Sequence, residues 1–205
     1  MTETSAAGPA NASPSNWNLP NALTMLRIVL VPFFIWFFLA DGGHYGWWRW
    51  AAVLAFLVAI YTDKLDGDIA RARGLITSFG KIADPIADKL LIGSALILLS
   101  AVGELWWWVT IVMLVREIGI TLLRFVVIRY GVMAASKGGK LKTVLQTVAI
   151  FVYLLPVTPA TPWLSMVALL VMLLALAVTV VTGVDYVVKA VQLRNSGRRN
   201  AAAHD

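Results

Sequence analysis

Apolar residues along the chain fall into six long blocks that are separated by short polar stretches. The blocks cover residues 22–40, 47–61, 82–102, 105–128, 141–155 and 163–188. Most of them approach the roughly 20 residues that an α-helix needs to cross a hydrocarbon core about 30 Å thick. The pattern therefore predicts an all-α integral membrane protein with six transmembrane helices.

Positive charge is concentrated on one set of connections. Lys and Arg are frequent between the second and third blocks, between the fourth and fifth, and after the sixth, whereas the opposite loops hold only Asp41, Arg49 and Glu104. Cationic loops of membrane proteins face the cytoplasm, and tryptophans collect at membrane boundaries. We therefore expect both termini on the cytoplasmic side of the cell membrane, and we expect tryptophans at the opposite boundary: Trp47, Trp48, Trp50, Trp106, Trp107 and Trp108.

The two ends of the chain are more polar than the blocks between them. Residues 1–18 are rich in small polar residues and lack the basic start and cleavage site of a signal peptide, and residues 191–205 are basic. The sequence thus predicts a disordered cytoplasmic tail over 1–18, a six-helix transmembrane domain over 19–190 and a basic cytoplasmic tail over 191–205.

Composition narrows the chemistry that the chain can perform. Its 205 residues are 60% hydrophobic and 14% charged, against about 45–50% and about 25% in soluble domains. The absence of cysteine excludes disulfides, thiolate metal ligands and a thiol nucleophile, and two histidines, at 44 and 205, argue against histidine-based catalysis. The net charge of +6 is explained by the cytoplasmic loops, and no polar domain remains to bind nucleic acid.

Four carboxylates stand at the cytoplasmic ends of the second and third blocks. Asp63 and Asp66 are three residues apart, and Asp84 and Asp88 are four apart, so on helices each pair projects from one face. Acidic groups at membrane depth are costly and therefore suggest function. Four of them would repel unless hard cations such as Mg²⁺ or Mn²⁺ compensate, and two such ions can assist a phosphoryl displacement. The competing interpretation is a lattice of ion pairs with nearby Lys and Arg.

Small residues continue the helix face that Asp63 and Asp66 begin. Gly67 and Ala70 follow on this face, and Arg71 lies one turn beyond Gly67. Small side chains allow a phosphate to approach the backbone, and a guanidinium group binds phosphate well. Close helix packing would also explain the small residues.

These residues together form a motif that fits D-x2-D-G-x2-A-R-x8-G-x3-D-x3-D at every fixed position. The motif resembles that of the CDP-alcohol phosphotransferases, integral membrane enzymes of phospholipid synthesis. The resemblance implies their six-helix fold, a homodimer and a two-metal site built from Asp63, Asp66, Asp84 and Asp88. It also implies Asp88 as the catalytic base for the acceptor hydroxyl, and a CDP-linked lipid bound along Asp66, Gly67, Ala70, Arg71 and Gly80.

Flanking phrases resemble the branch of this family that joins CDP-diacylglycerol to sn-glycerol 3-phosphate. They are NLPNALTMLRI, TDKLDG, DPIADK, REIGITLLR and GKLKTVLQ. A phosphate-bearing acceptor needs cations near the metal site, and the candidates are Arg116, Arg124, Lys140 and Lys142, with Glu117 as an ion-pair partner of Arg116. A polar stripe of Asn21, Thr24 and Arg27 at the start of the first helix is expected to contact the nucleotide or the lipid head group.

Two alternatives stay open at the level of sequence. Within the family, the acceptor would be inositol phosphate or phosphatidylglycerol, because the basic residues do not distinguish glycerol from inositol. Outside the family, the four aspartates would form the permeation site of a divalent-cation transporter. That second alternative leaves Gly67, Ala70 and Arg71 without a role and places the acids away from the membrane midplane.

Overall fold

The computed structural model of the chain describes residues 18–75, 77–127 and 137–202. These residues form six α-helices and no strand, so the all-helical prediction is confirmed, with one helix at each apolar block. The expected disordered tail lies almost wholly outside the described residues. In chain order the helices are α1 Leu19–Asp41, α2 Trp47–Arg73, α3 Ser78–Ala101, α4 Trp107–Val127, α5 Lys137–Leu154 and α6 Pro162–Ala202.

Local sequence signals set several of the helix ends. Asn18 caps α1 by accepting a hydrogen bond from the Asn21 backbone N–H at 2.9 Å. Thr77 caps α3 in the same way, accepting from the Gly80 N–H at 3.0 Å. α2 ends at Gly74, whose φ of 63° lies in the left-handed region that glycine adopts without strain. The turn between α2 and α3 is therefore short, and it keeps the two acidic segments close in space.

Consecutive helices run in opposite directions. Arg27 near the start of α1 contacts Asp63 near the end of α2, whereas Arg49 at the start of α2 contacts the end of α5 through the Leu154 carbonyl at 3.0 Å. Ser100 at the end of α3 contacts Thr110 at the start of α4. The starts of α1, α3 and α5 thus lie at one end of the bundle with the ends of α2, α4 and α6. We call this the site end, and we call the opposite end the far end.

Apolar side chains fill the bundle interior and also cover its outside. Fully buried side chains from all six helices form the core: Phe34, Phe56, Leu91, Leu99, Met113, Ile150 and Met172. Large apolar side chains also point outward, including Trp36 on α1, Val115 on α4 and Val181 on α6. An apolar outer surface of this extent is unfavourable in water and is typical of helices that face lipid.

Two of the described helices are long and apolar enough to cross a bilayer by length and composition alone. They are Leu19–Asp41 and the part of α6 from Pro162 to Leu193, and Leu141–Leu154 is a shorter apolar helix. α2 and α3 carry more charge because they contain the aspartate motif. The number of crossings therefore stays a prediction.

The last helix is longer than the apolar block that predicted it. α6 continues through Ala202, well past residue 188, and so includes much of the expected basic tail. The residues after 188 are mostly good helix formers, and Lys189 forms a 2.7 Å ion pair with Asp185 one turn earlier. The basic segment therefore extends the helix at the site end.

Candidate active site

The four motif aspartates lie at the site end on two antiparallel helices. Asp63 and Asp66 project from α2, and Asp84 and Asp88 project from α3. Their charges interact across the helix boundary, Asp84 with both α2 aspartates and Asp88 with Asp63. The short Gly74 turn thus brings the two acidic pairs within electrostatic range of each other.

α1 contributes two polar side chains to this acidic group. The Thr24 hydroxyl oxygen lies 2.5 Å from Asp84 Oδ1 and 3.3 Å from Asp66 Oδ2. Arg27 places Nη1 2.6 Å from Asp63 Oδ1 and forms a second ion pair with Asp66. The Arg27 side chain is only 1% exposed and that of Asp66 only 4%, so this contact lies in the protein interior. The first three helices are therefore joined by charged and polar contacts at the site end.

The carboxylates offer the right kind of donor for a hard divalent cation but are not gathered around one point. Among the described residues, no group of three or more Asp, Glu or His side chains is arranged to hold a metal ion. The reason is that Asp63 and Asp66 turn to Arg27, while Asp84 turns to Thr24. The donor set is nevertheless made only of oxygens, which Mg²⁺ and Mn²⁺ prefer.

Asn21 and Gly80 meet at the start of α3. Thr77 donates a 3.0 Å hydrogen bond from its hydroxyl to Asn21 Oδ1. A Cβ atom added at Gly80 would lie 3.0 Å from the same oxygen and 3.3 Å from Thr77 Oγ1. Gly80 is therefore required by a close side-chain approach. Thr77 was not among the predicted site residues, although threonine is a preferred residue at a helix N-cap.

The small-residue face of α2 is partly covered by Arg71. A Cβ atom at Gly67 would lie 3.3 Å from Arg71 Nη1, so the guanidinium group rests over this glycine. Arg71 also pairs with Asp68 at 2.8 Å, and its side chain is 70% exposed. Ala70 lies on the same turn, and its carbonyl accepts the hydrogen bond that caps the helix at Gly74. Gly67 and Arg71 are thus adjacent, as the spacing predicted, and solvent reaches the guanidinium group.

A cavity of about 120 Å³ opens between α3, α4 and α5 beside Asp88. Asp88 has no hydrogen bond or ion pair with any described side chain. Lys142, on the opposite wall, is 7% exposed and forms an ion pair with Glu117. The polar lining is completed by Lys89, Thr143, Gln146 and Thr147. The cavity therefore places the predicted base and one predicted phosphate-binding cation around the same space.

Arg116, another predicted phosphate-binding cation, does not line this cavity. Arg116 donates to the Thr182 hydroxyl of α6 at 3.0 Å and lies 3.4 Å from Glu117, so the predicted pairing with Glu117 is present but weaker than that of Lys142. Gly183 leaves room for it, since a Cβ there would lie 3.2 Å from Arg116 Cγ. The side chains of Arg124 and Lys140 lie outside the described part of the structure.

Comparison with known proteins gives consistent matches over this region. Residues 17–181 match the CDP-alcohol phosphatidyltransferase family. The chain is 51% identical over 175 residues to the probable phosphatidylglycerophosphate synthase of Mycobacterium tuberculosis (strain CDC 1551 / Oshkosh), which covers 85% of this chain and 82% of the relative.

Two further relatives carry the name CDP-diacylglycerol–glycerol-3-phosphate 3-phosphatidyltransferase. The Bacillus subtilis (strain 168) protein is 39% identical over 156 residues, covering 70% of this chain and 79% of the relative. The Escherichia coli (strain K12) protein is 39% identical over 140 residues, covering 65% of this chain and 75% of the relative.

Proposed function

The chain belongs to the CDP-alcohol phosphatidyltransferase family, and we propose that it transfers a phosphatidyl group from CDP-diacylglycerol to sn-glycerol 3-phosphate. The products are phosphatidylglycerophosphate and CMP, which makes the chain a transferase of phospholipid biosynthesis. The names of the relatives support this acceptor. Members of the family are embedded in membranes, in agreement with the apolar outer surface of the bundle.

The observation that carries the proposal is the meeting of the acidic ends of α2 and α3 next to the cavity at Asp88. A phosphatidyl transfer needs a place for a diphosphate and an adjacent place for the attacking hydroxyl. The four aspartates, with Thr24 and Arg71, supply the place for the diphosphate. The cavity supplies the place for the attacking hydroxyl. Both lie at the same end of the bundle.

The family is generally metal-dependent. We propose Asp63, Asp66, Asp84 and Asp88 as the residues that would hold one or two divalent cations, Mg²⁺ or Mn²⁺. Their oxygens fit this role, and the mutual repulsion of the carboxylates favours a bound cation. When bound, such a cation neutralises diphosphate charge and stabilises the leaving group.

The CDP-linked lipid would lie along the exposed face of α2 and the starts of α1 and α3. Asp66, Gly67, Ala70 and Arg71 form the α2 part of this site, and Asn21, Thr24 and Gly80 form the rest. Arg71 is exposed and pairs with Asp68 on the surface, so it can turn its guanidinium group to a phosphate. Because Gly67 has no side chain, the backbone beneath the Arg71 guanidinium group stays accessible to a ligand.

The acceptor would bind in the cavity with its phosphate at Lys142 and its 1-hydroxyl at Asp88. The hydroxyl oxygen forms the new bond to the lipid-bearing phosphorus, the bond from that phosphorus to the CMP oxygen breaks, and Asp88 accepts the hydroxyl proton. Arg116, Arg124 and Lys140 remain proposed contributors to phosphate binding from the surrounding helices. Direct transfer is favoured because the chain has no cysteine, and its aspartate motif has no histidine, to form a covalent intermediate.

The chain would work as a homodimer in the cytoplasmic membrane with its site end and both termini facing the cytoplasm. The positions of Lys and Arg along the sequence support this orientation. A cytoplasmic site would also give a soluble phosphorylated acceptor direct access to the cavity.

The experiment that tests this function offers the purified protein several acceptors in turn. CDP-diacylglycerol and Mn²⁺ or Mg²⁺ are supplied with glycerol 3-phosphate, inositol 1-phosphate, serine or phosphatidylglycerol, and CMP release is measured. We expect CMP only with glycerol 3-phosphate. Release with inositol 1-phosphate or phosphatidylglycerol instead would keep the family chemistry and change the acceptor, and no release with any acceptor would refute the function.

A further inference from the structure

A completely buried arginine contacts the acidic group from the neighbouring helix. Arg27 on α1 contacts Asp63, with 2.6 Å between Nη1 and Oδ1, and forms an ion pair with Asp66. Its side chain is 1% exposed. Arg27 is not a fixed position of the aspartate motif, and the mechanism above gives it no step.

Arg27 also differs from the other cations near the site. Lys64 is exposed, Arg71 pairs with Asp68 at the surface, and Lys142 pairs with Glu117. Among the described side chains, Arg27 is therefore the cation that contacts the motif aspartates. Its charge acts on Asp63, Asp66 and Asp88 together. An arginine keeps this charge at any physiological pH.

The two carboxylates that Arg27 contacts, Asp63 and Asp66, are among those that the proposed function assigns to a divalent cation. A guanidinium group and a metal ion cannot occupy the same side of one oxygen, because both are positively charged and both need close contact with it. We propose that Arg27 is an internal counter-ion that competes with the divalent cation for Asp63 and Asp66. This inference rests on the proposed function, since it assumes that these aspartates are metal ligands.

Two consequences follow from the competition. Without metal, Arg27 neutralises part of the acidic group and holds α1 against α2, so the protein is stable before it binds a cation. With metal, the ion must displace Arg27 from at least one carboxylate, and this lowers the apparent metal affinity. Removing Arg27 should therefore make the protein less stable without metal and should make it bind metal more tightly.

The experiment measures Mn²⁺ binding and thermal unfolding in purified protein without any lipid substrate. Arg27→Met keeps much of the apolar stem of the side chain and removes its charge. Arg27→Lys keeps the charge but loses the fork that contacts two carboxylates at once. Lys64→Met is the matched control, because Lys64 carries the same charge on α2 between the two aspartates but is exposed. Free Mn²⁺ is followed by electron paramagnetic resonance, and unfolding by intrinsic fluorescence.

We expect Arg27→Met to bind Mn²⁺ about tenfold more tightly than the unmodified chain, because two charge-assisted contacts no longer compete. Its unfolding temperature should be lower without Mn²⁺, and saturating Mn²⁺ should recover most of the difference. Arg27→Lys should bind Mn²⁺ with an intermediate affinity, and it serves as the test if Arg27→Met cannot be purified even with Mn²⁺ present. Lys64→Met should stay within about twofold of the unmodified affinity.

Unchanged or weaker Mn²⁺ binding by the Arg27 variants would overturn the competition, as would a stability loss that Mn²⁺ does not recover. Failure of the unmodified chain and of all variants to bind Mn²⁺ would instead refute the metal site of the proposed function. The two failures are therefore distinguishable without an activity measurement.

Discussion

Asp88 differs from the other motif aspartates in its surroundings. It lines the cavity and has no hydrogen bond or ion pair with a described side chain, whereas Asp63 and Asp66 contact Arg27 and Asp84 contacts Thr24. We expect Asp88→Asn to lower the rate of CMP release by about 10²-fold or more, since an amide cannot accept the acceptor proton. Binding of CDP-diacylglycerol should persist, because Gly67 and Arg71 are unchanged. The rate of CMP release and the binding of CDP-diacylglycerol are both measured at saturating Mn²⁺. A near-normal rate of CMP release would show that Asp88 is not the base.

Of the cations proposed to bind the acceptor phosphate, Lys142 is the one whose described side chain lines the cavity beside Asp88. We expect Lys142→Met to raise the KM for glycerol 3-phosphate at least about tenfold, because a charge-assisted contact to the phosphate is lost. The KM for CDP-diacylglycerol should change little. Lys189→Met, which removes an exposed lysine of α6, is the control. An equal rise in both KM values would place Lys142 outside the acceptor site.

Gly80 and Gly119 offer a matched test of the close approach at the start of α3. A Cβ at Gly80 would meet Asn21 Oδ1 at 3.0 Å, whereas a Cβ at Gly119 would meet nothing within 4 Å. We expect Gly80→Ala to displace Asn21 and Thr77 and to weaken CDP-diacylglycerol binding, measured in nanodiscs. Gly119→Ala should leave binding unchanged and stabilise α4 by up to about 1 kcal/mol. Equal binding by the two variants would contradict the role of Gly80.

At the scale of the helices, Arg49 holds the far end of the bundle together. It lies in the first turn of α2, pairs with Glu104 at 2.6 Å and donates to the Leu154 carbonyl at 3.0 Å. Its guanidinium carbon lies 4.1 Å from the centre of the Phe38 ring. It thereby joins α1, α2, α5 and the loop between α3 and α4. Its side chain is 1% exposed, so the pair is screened little by solvent.

We expect Arg49→Met to lower the free energy of unfolding by about 3 kcal/mol, because a partly buried Glu104 loses its partner. The KM for glycerol 3-phosphate, measured at a temperature where the variant is folded, should not change, since the acceptor cavity lies at the site end. Trp47→Leu, an exposed substitution in the same turn, is the control for thermal unfolding. A raised KM without a loss of stability would contradict a purely structural role.

The sequence predicted features that depend on local periodicity and failed to predict contacts that depend on helix rotation. The spacing of Asp63 with Asp66 and of Asp84 with Asp88 placed each pair on one face, and the apolar blocks placed all six helices. Spacing along one helix cannot reveal which neighbouring helix that face meets. The pairing of Lys142 with Glu117 and the turn of Arg116 to Thr182 are contacts of this kind. Spacing placed Arg27 on one polar stripe with Asn21 and Thr24. Its two aspartate partners could not be predicted, because they depend on how α1 packs on α2.

At the scale of the whole molecule, the two ends of the bundle are chemically different. The site end holds the acidic group, Lys142 and the basic end of α6, whereas the far end holds exposed tryptophans, including Trp47 and Trp107. Tryptophans favour the membrane boundary, and cationic segments stay on the cytoplasmic side. Because consecutive helices alternate in direction, the ends of α2, α4 and α6, which precede the basic stretches of the sequence, all lie at the site end.

This orientation can be tested directly because the chain contains no cysteine, so a single introduced thiol is the only one present. His44 lies in the exposed far-end turn between α1 and α2, and Arg73 is exposed at the site end of α2. In right-side-out vesicles, we expect a membrane-impermeant maleimide to label His44→Cys and to leave Arg73→Cys unlabelled. Inside-out vesicles should give the reverse. Labelling of Arg73→Cys from outside would place the aspartates on the external face, where a cytoplasmic phosphorylated acceptor and CDP-linked lipid could not reach them, and would refute the cytoplasmic site.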